Sequence, residues 1–284
     1  PAVMLAACPA QAAPVERLSP AESLAAYGAE LQAFRREYGG SRNLPDVRFF
    51  LFGMGQRAKF LYKGGALLDP TTGRTLVRWE GASELIDPAG YRVELTLPGG
   101  TKVTLVEDEE AVWVQSASGR QALDGTRAPV KLPDFAGRRH ARVLRVLHQE
   151  LLVNVTRAGP VPNFFVYDKP WYRDAAMMAL AFRETGNMHV IRDWVAGLGQ
   201  PFDFNNQGTP EPDNLGQALF LLAATGAGTG HALVPKVLAA VKRFEVAAPD
   251  GSRYVSGTTG SQPHPVFQTK GMKYGLAGLQ LPSP

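Results

Sequence analysis

The fold turns on the reading of residues 171–182, Trp171-Tyr172-Arg173-Asp174-Ala175-Ala176-Met177-Met178-Ala179-Leu180-Ala181-Phe182. A charged, aromatic tetrapeptide leads directly into small and apolar residues. That run is apolar nearly all round at the helical period. It predicts a helix over 171–186 that packs on two sides, not a helix lying as a single surface layer. Asp174 falls in the first turn, where the helix dipole favours a carboxylate. A charged cap is the plainer explanation of the tetrapeptide, but two aromatics beside an Arg-Asp pair exceed what capping requires.

The helical period extends on both sides of this stretch. Helices are expected over 137–157, 188–198, 213–225 and 231–245, with a weaker one over 268–279. Upstream the pattern changes. From about 45 to 126, short runs rich in Val, Leu, Phe and Tyr are separated by Gly, Pro and Asp turns such as Pro98-Gly99-Gly100. Tyr91, Val93, Leu95 and Leu97 alternate with Arg92, Glu94 and Thr96, as on a sheet with one wet face. The spacing predicts antiparallel hairpins in a sandwich or curved sheet. Residues 20–38 read as one further helix, with Ser19 as N-cap, Pro20 in the first turn and Gly39-Gly40 as the stop. The expected class is α+β: a β-rich domain with its leading helix over 20–130, then a helical domain over 137–284.

Composition narrows the function classes. At 45% hydrophobic and 20% charged residues, the chain is a packed globular protein, not a disordered one. The single cysteine excludes an intramolecular disulfide. Net charge is +4, and the basic stretch Arg138-Arg139-His140-Arg142-Arg145 lacks interleaved aromatics, so it reads as a solvated helix face and no nucleic-acid partner is expected. Gly53-Met54-Gly55-Gln56-Arg57-Ala58 has the spacing of a dinucleotide fingerprint, but strand-like Lys59-Phe60-Leu61-Tyr62 follows where a helix is needed. No His pair has metal-ligand spacing. Neither a cofactor nor a metal is expected.

Residues 1–19 read as a processed leader. Ala10-Gln11-Ala12 is a signal-peptidase pattern, and Leu5-Ala6-Ala7-Cys8 fits a bacterial lipobox. Under the first reading Cys8 is discarded; under the second it is the lipid anchor and the chain's one tie to a membrane. Either way the expected location is periplasmic or extracellular. The absent Met and the abrupt end at Pro284 read as a truncated chain.

Three segments carry chemistry. The first is 163–174, where Tyr167, Trp171 and Tyr172 offer faces for a sugar and Arg173 offers a planar fork for hydroxyls or a carboxylate. In the second, 203–217, Pro210 and Pro212 bracket Glu211, and Asp213 sits at a helix start. The third, 256–275, is a Gly-rich loop with His264 between two prolines, followed by Gln268, Lys270 and Tyr274.

Trp171-Tyr172-Arg173-Asp174 and Glu211-Pro212-Asp213-Asn214-Leu215-Gly216-Gln217, each leading an apolar helix after a β-rich region, resemble the six-hairpin glycosidase superfamily of (α/α)6 toroids. The resemblance covers roughly residues 160–280. It implies an α/α-toroid-like helical domain, here incomplete because too few helical segments are present for six hairpins, and a funnel in which Asp and Glu act on a glycan. The expected activity is glycoside hydrolysis of an oligo- or polysaccharide. Glu211 is the candidate acid, raised by partial desolvation in its proline-flanked loop, and Asp174 is the candidate base with Asp213 as substitute. Tyr167, Trp171 and Tyr172 would stack on sugar; Arg173, His264, Gln268 and Lys270 would bind hydroxyls or a uronate. One alternative is a polysaccharide lyase on a similar toroid, with Tyr172 or His264 as base and Arg173 or Lys270 neutralising the uronate. The others are a non-catalytic glycan-binding surface lipoprotein and a purely structural helical protein.

Overall fold

The structure, a computed structural model, describes residues 18–38 and 49–282. The leader and Cys8 lie outside the described residues. Chain order begins with α1 (Pro20–Tyr38), capped as a reciprocal box in which the Ser19 hydroxyl accepts from the Glu22 N–H and the Glu22 carboxylate accepts from the Ser19 N–H.

Nine strands follow. β1 (Phe49–Phe52), β2 (Phe60–Lys63), β3 (Ala66–Leu68) and β4 (Thr75–Arg78) pair in that order as one antiparallel sheet. β5 (Ser83–Asp87), β6 (Arg92–Thr96), β7 (Lys102–Glu107), β8 (Val112–Ser116) and β9 (Gly119–Ala122) form a second, also a meander. Alternation of side chains aims Phe50, Phe52, Phe60, Tyr62 and Leu67 of the first sheet and Val93, Leu95, Val103, Leu105 and Val112 of the second into one shared core.

The second half contains α2 (Ala141–Val153), the hairpin β10 (Val155–Thr156) and β11 (Gly159–Pro160), α3 (Tyr172–Glu184), α4 (His189–Ala196), α5 (Asp213–Thr225) and α6 (Leu233–Val241). It closes with two small hairpins, β12 (Glu245–Ala247) with β13 (Arg253–Val255) and β14 (Thr258–Thr259) with β15 (Gln262–Pro263), and then α7 (Pro265–Gly278).

The toroid expectation is overturned. Among the described residues there are seven helices and five small antiparallel sheets, and the helices do not stand as a ring of hairpins. They gather around one of their number. α5 touches α3, α4, α6 and α7, and Asp213 through Leu219 are all buried. A helix apolar on every side must be surrounded, and a cluster about a central axis satisfies that as well as a ring does. The α5–α7 crossing is tight because it is made of glycines. A Cβ at Gly216 would lie 2.2 Å from the Gly271 carbonyl carbon, and one at Gly275 would lie 2.6 Å from the Gly216 oxygen.

The basic stretch at 138–145 is a docking site for α1, not a free solvated face. Glu30 accepts from the Arg142 N–H and guanidinium, and Glu37 meets Arg139 and His140. Arg145 lies over the Tyr91 ring at 4.7 Å.

The Gly53–Ala58 turn joins the two halves. Glu107, at the end of β7, accepts the N–H groups of Gly53 and Met54 and the guanidinium of Arg57, and both charged side chains are fully buried. The Lys59 ammonium donates to the Gly53, Gly55 and Val155 carbonyls. A Cβ at Gly53 would fall 2.3 Å from the Ala58 oxygen, and the residue has φ +106°, so glycine is required there. No described helix is long and apolar enough to cross a membrane.

Candidate active site

The three chemistry-bearing segments meet at one end of α5. Arg173, in the first turn of α3, donates from Nε to Asp213 Oδ2 at 2.9 Å and from Nη2 to Glu211 Oε2 at 3.2 Å. Both carboxylates are buried, with residue exposures of 1% and 2%. Asp213 also accepts from Gln217, one turn along α5, and from the Thr259 hydroxyl of β14, each at 2.9 Å. Glu211 Oε1 accepts from Asn206 at 3.2 Å and from the Gly260 N–H. Gln268, fully buried on α7, donates to Thr259 Oγ1 and the Gly257 carbonyl and accepts from the Gly257 N–H. A chain of bonds thus runs Gln268, Thr259, Asp213, Arg173, Glu211. Such a hydrogen-bonded network, open only at Arg173, rigidifies the groups within it.

Local sequence explains this placement. Trp171 supplies no side-chain cap to α3. Asp203 caps it from a distance instead, with Oδ2 accepting the Tyr172 N–H at 2.8 Å and Oδ1 accepting the Asn205 N–H. Asn205 in turn donates to the Pro170 carbonyl. The 203–206 loop therefore holds the mouth of α3 against the start of α5.

Asp174 stands apart from the buried pair. It is half-buried, and among the described residues its carboxyl hydrogen-bonds no other side chain. Burial raises it above the usual Asp range, and the neighbouring Arg173 only partly offsets this. Burial also raises Asp203, helped by the charges of Glu211 and Asp213. Arg173, one-third exposed along its side chain, pairs with the Glu211 and Asp213 carboxylates and also feels the charge of Asp174.

The remaining sequence candidates divide. Tyr167 is 40% exposed and meets half-buried Trp171 edge to face, with ring centroids 5.7 Å apart. Tyr172 is in the core, its hydroxyl on the Gln200 carbonyl, and burial pushes it up to about 12. His264 and Lys270 are exposed, and their side chains bond to nothing in the network among the described residues. Gln268 is committed within it. Sequence reasoning assigned no role to Asp203, Asn206 or Thr259. Asp203, between Phe202 and Phe204 and ahead of Asn205-Asn206, offered a signal; Thr259, on a two-residue strand, offered none. Among the described residues no group of three His, Cys, Asp or Glu is placed to hold a metal ion.

No family model, curated protein or solved structure matches the chain.

Proposed function

We propose that the chain is an exported carbohydrate-active enzyme, a glycoside hydrolase acting on a neutral oligo- or polysaccharide. One observation carries the reading: three loops far apart in sequence converge on a guanidinium that grips two carboxylates, beside a third carboxyl raised by burial. Export rests on residues 1–19 alone.

Hydrolysis requires one protonated carboxyl and one ionised one. Asp174, the carboxyl that burial raises, is the proton donor to the leaving oxygen, which reverses the roles expected for Asp174 and Glu211 from sequence. Glu211 Oε2, bonded only to Arg173, is the carboxylate oriented for water or for the sugar carbon. Arg173 holds it in place. Trp171 and Tyr167 form the wall against which a sugar face stacks.

A lyase fits less well. Uronate chemistry needs a free cation at the site, and Arg173 already serves two carboxylates. A specific observation favours a non-catalytic glycan-binding protein as the second reading: all four oxygens of Glu211 and Asp213 already have protein donors. The deciding experiment incubates the purified protein with a panel of neutral glycans and measures new reducing ends. Turnover that disappears in Asp174→Asn supports the hydrolase. Glycan binding without turnover in the wild type supports the second reading, and products absorbing in the near ultraviolet indicate the lyase.

A further inference from the structure

The β8–β9 hairpin and the turn after it carry a second cluster, sharing no residue with the first. Trp113 on β8 is 8% exposed and pairs across the ladder with Ala122. Two guanidiniums lie over its indole, Arg120 at 3.9 Å from the ring centroid and Arg127 at 5.2 Å. Both also line an open hollow together with residues 121–125.

The two arginines are not equivalent. Arg120 is paired with Asp108, in an ion pair open to solvent on both sides. Arg127 is exposed and, among the described residues, pairs with no carboxylate and donates to no acceptor. An arginine held over an aromatic face has already lost much of its rotamer freedom, so less is lost when it grips an anion. The turn adds donors. Thr126 bonds back to the Leu123 carbonyl, and among the described residues the N–H groups of exposed Asp124 and Gly125 donate to no acceptor. Gly125 has φ +73°, a left-handed conformation that favours glycine. The Asp124 carboxylate is the one opposing charge in the lining, and Asp108 is already occupied by Arg120.

We propose that this hollow is an oxyanion-binding site, taking a single carboxylate or sulfate group, with Arg127 as the gripping residue and the Asp124 and Gly125 N–H groups as secondary donors. Arg120 flanks the site and neutralises Asp108. The oxyanion can be a free ion or a group borne on a sugar, and both present the same planar or tetrahedral acceptors to the fork.

The test titrates the full chain, at constant ionic strength, with sodium sulfate and separately with a uronic-acid tetrasaccharide, following backbone amide and arginine Nε NMR shifts. The expected result is a saturable shift of Asp124, Gly125 and Arg127 with at least one of the two probes. Arg127→Ala should weaken binding about tenfold or more, and Arg127→Lys, which keeps the charge but loses the fork, should fall between. Tighter binding of the tetrasaccharide than of sulfate assigns the site to an acidic glycan; equal binding assigns it to a free oxyanion. No saturable shift with either probe overturns the proposal, as does an Arg127→Ala protein, folded by its amide spectrum, that binds as well as the wild type. Hydrolase activity is not part of the readout, so the outcome is independent of the function proposed for the Arg173 cluster.

Discussion

The chain buries charge in two places, and in opposite ways. In the β-rich half Arg57 and Glu107 are sealed, with side chains fully inaccessible, and Arg57 spends its remaining donors on the carbonyls of Ala128, Asp108 and Glu109. In the helical half Glu211 and Asp213 are as deeply buried, but their guanidinium is one-third exposed and a half-buried, unengaged carboxyl stands beside it. The first arrangement ties a turn to a strand. The second leaves an open edge that water or a ligand can reach, and open edges are where chemistry is done.

The largest expected effect breaks the comparison at its sealed end. Arg57→Met leaves the Glu107 carboxylate buried without its counter-charge, and urea unfolding should show a loss of about 3–5 kcal/mol. Arg173→Met should cost measurably less, because solvent entering through the exposed side of the guanidinium can hydrate Glu211 and Asp213. Equal losses at the two arginines would make the Arg173 cluster a second fastener and sink the catalytic reading.

A smaller effect separates the halves by pH. His148 on α2 is buried, with Nε2 against the Thr185 hydroxyl at 3.0 Å and Nδ1 without a partner. Burial pushes the imidazole down to about 4 from the 6.5 of an unperturbed histidine. Between those values the unfolded chain binds a proton that the folded chain refuses. The stabilisation is therefore complete above pH 6.5 and falls as the pH drops toward 4, by up to about 3 kcal/mol. In hydrogen exchange at pH 5 the amides of α2 and α3 should open before those of β6 and β7. His148→Gln should flatten the acid limb relative to wild type. An unchanged slope in that variant would show that the imidazole is protonated alike in both states.

Sequence legibility differed between the halves for physical reasons. α5 was readable at both ends because Pro212-Asp213 starts it and Gly226, in the left-handed region at φ +76°, stops it. Strands with clean alternation, such as β6 and β7, were equally plain. β5 was not, since Leu85 and Ile86 are adjacent and break the period of two, and the two-residue hairpins of the second half are too short to show any period. The site was legible as three segments but not as a network. Arg173 to Asp213 spans forty positions and Thr259 to Asp213 forty-six, and no local pattern encodes such pairings. The ring of helices failed for a related reason. Apolar residues on all sides say that a helix is surrounded, and they leave open whether a ring or a cluster surrounds it.

The smallest effect on stability should accompany the largest on function, at Asp174. Burial raises this carboxyl in the fold above its unfolded value, so the folded state holds the proton more tightly than the unfolded one does. Its ionisation therefore opposes folding, and the penalty grows as pH rises through the unfolded value and levels off above the folded one. Asp174→Asn removes that penalty and deletes no side-chain hydrogen bond seen among the described residues. The variant should be as stable as wild type at pH 7 or slightly more so, within about 1 kcal/mol, while glycan turnover is lost. Glu211→Gln is the contrast: it exchanges a charged partner of Arg173 for a neutral one and should lower stability and turnover together. A residue whose loss stabilises the fold and abolishes turnover is kept for chemistry. If Asp174→Asn instead unfolds the helical half at a lower urea concentration while turnover persists, Asp174 is a cap for α3 and the proton donor lies elsewhere.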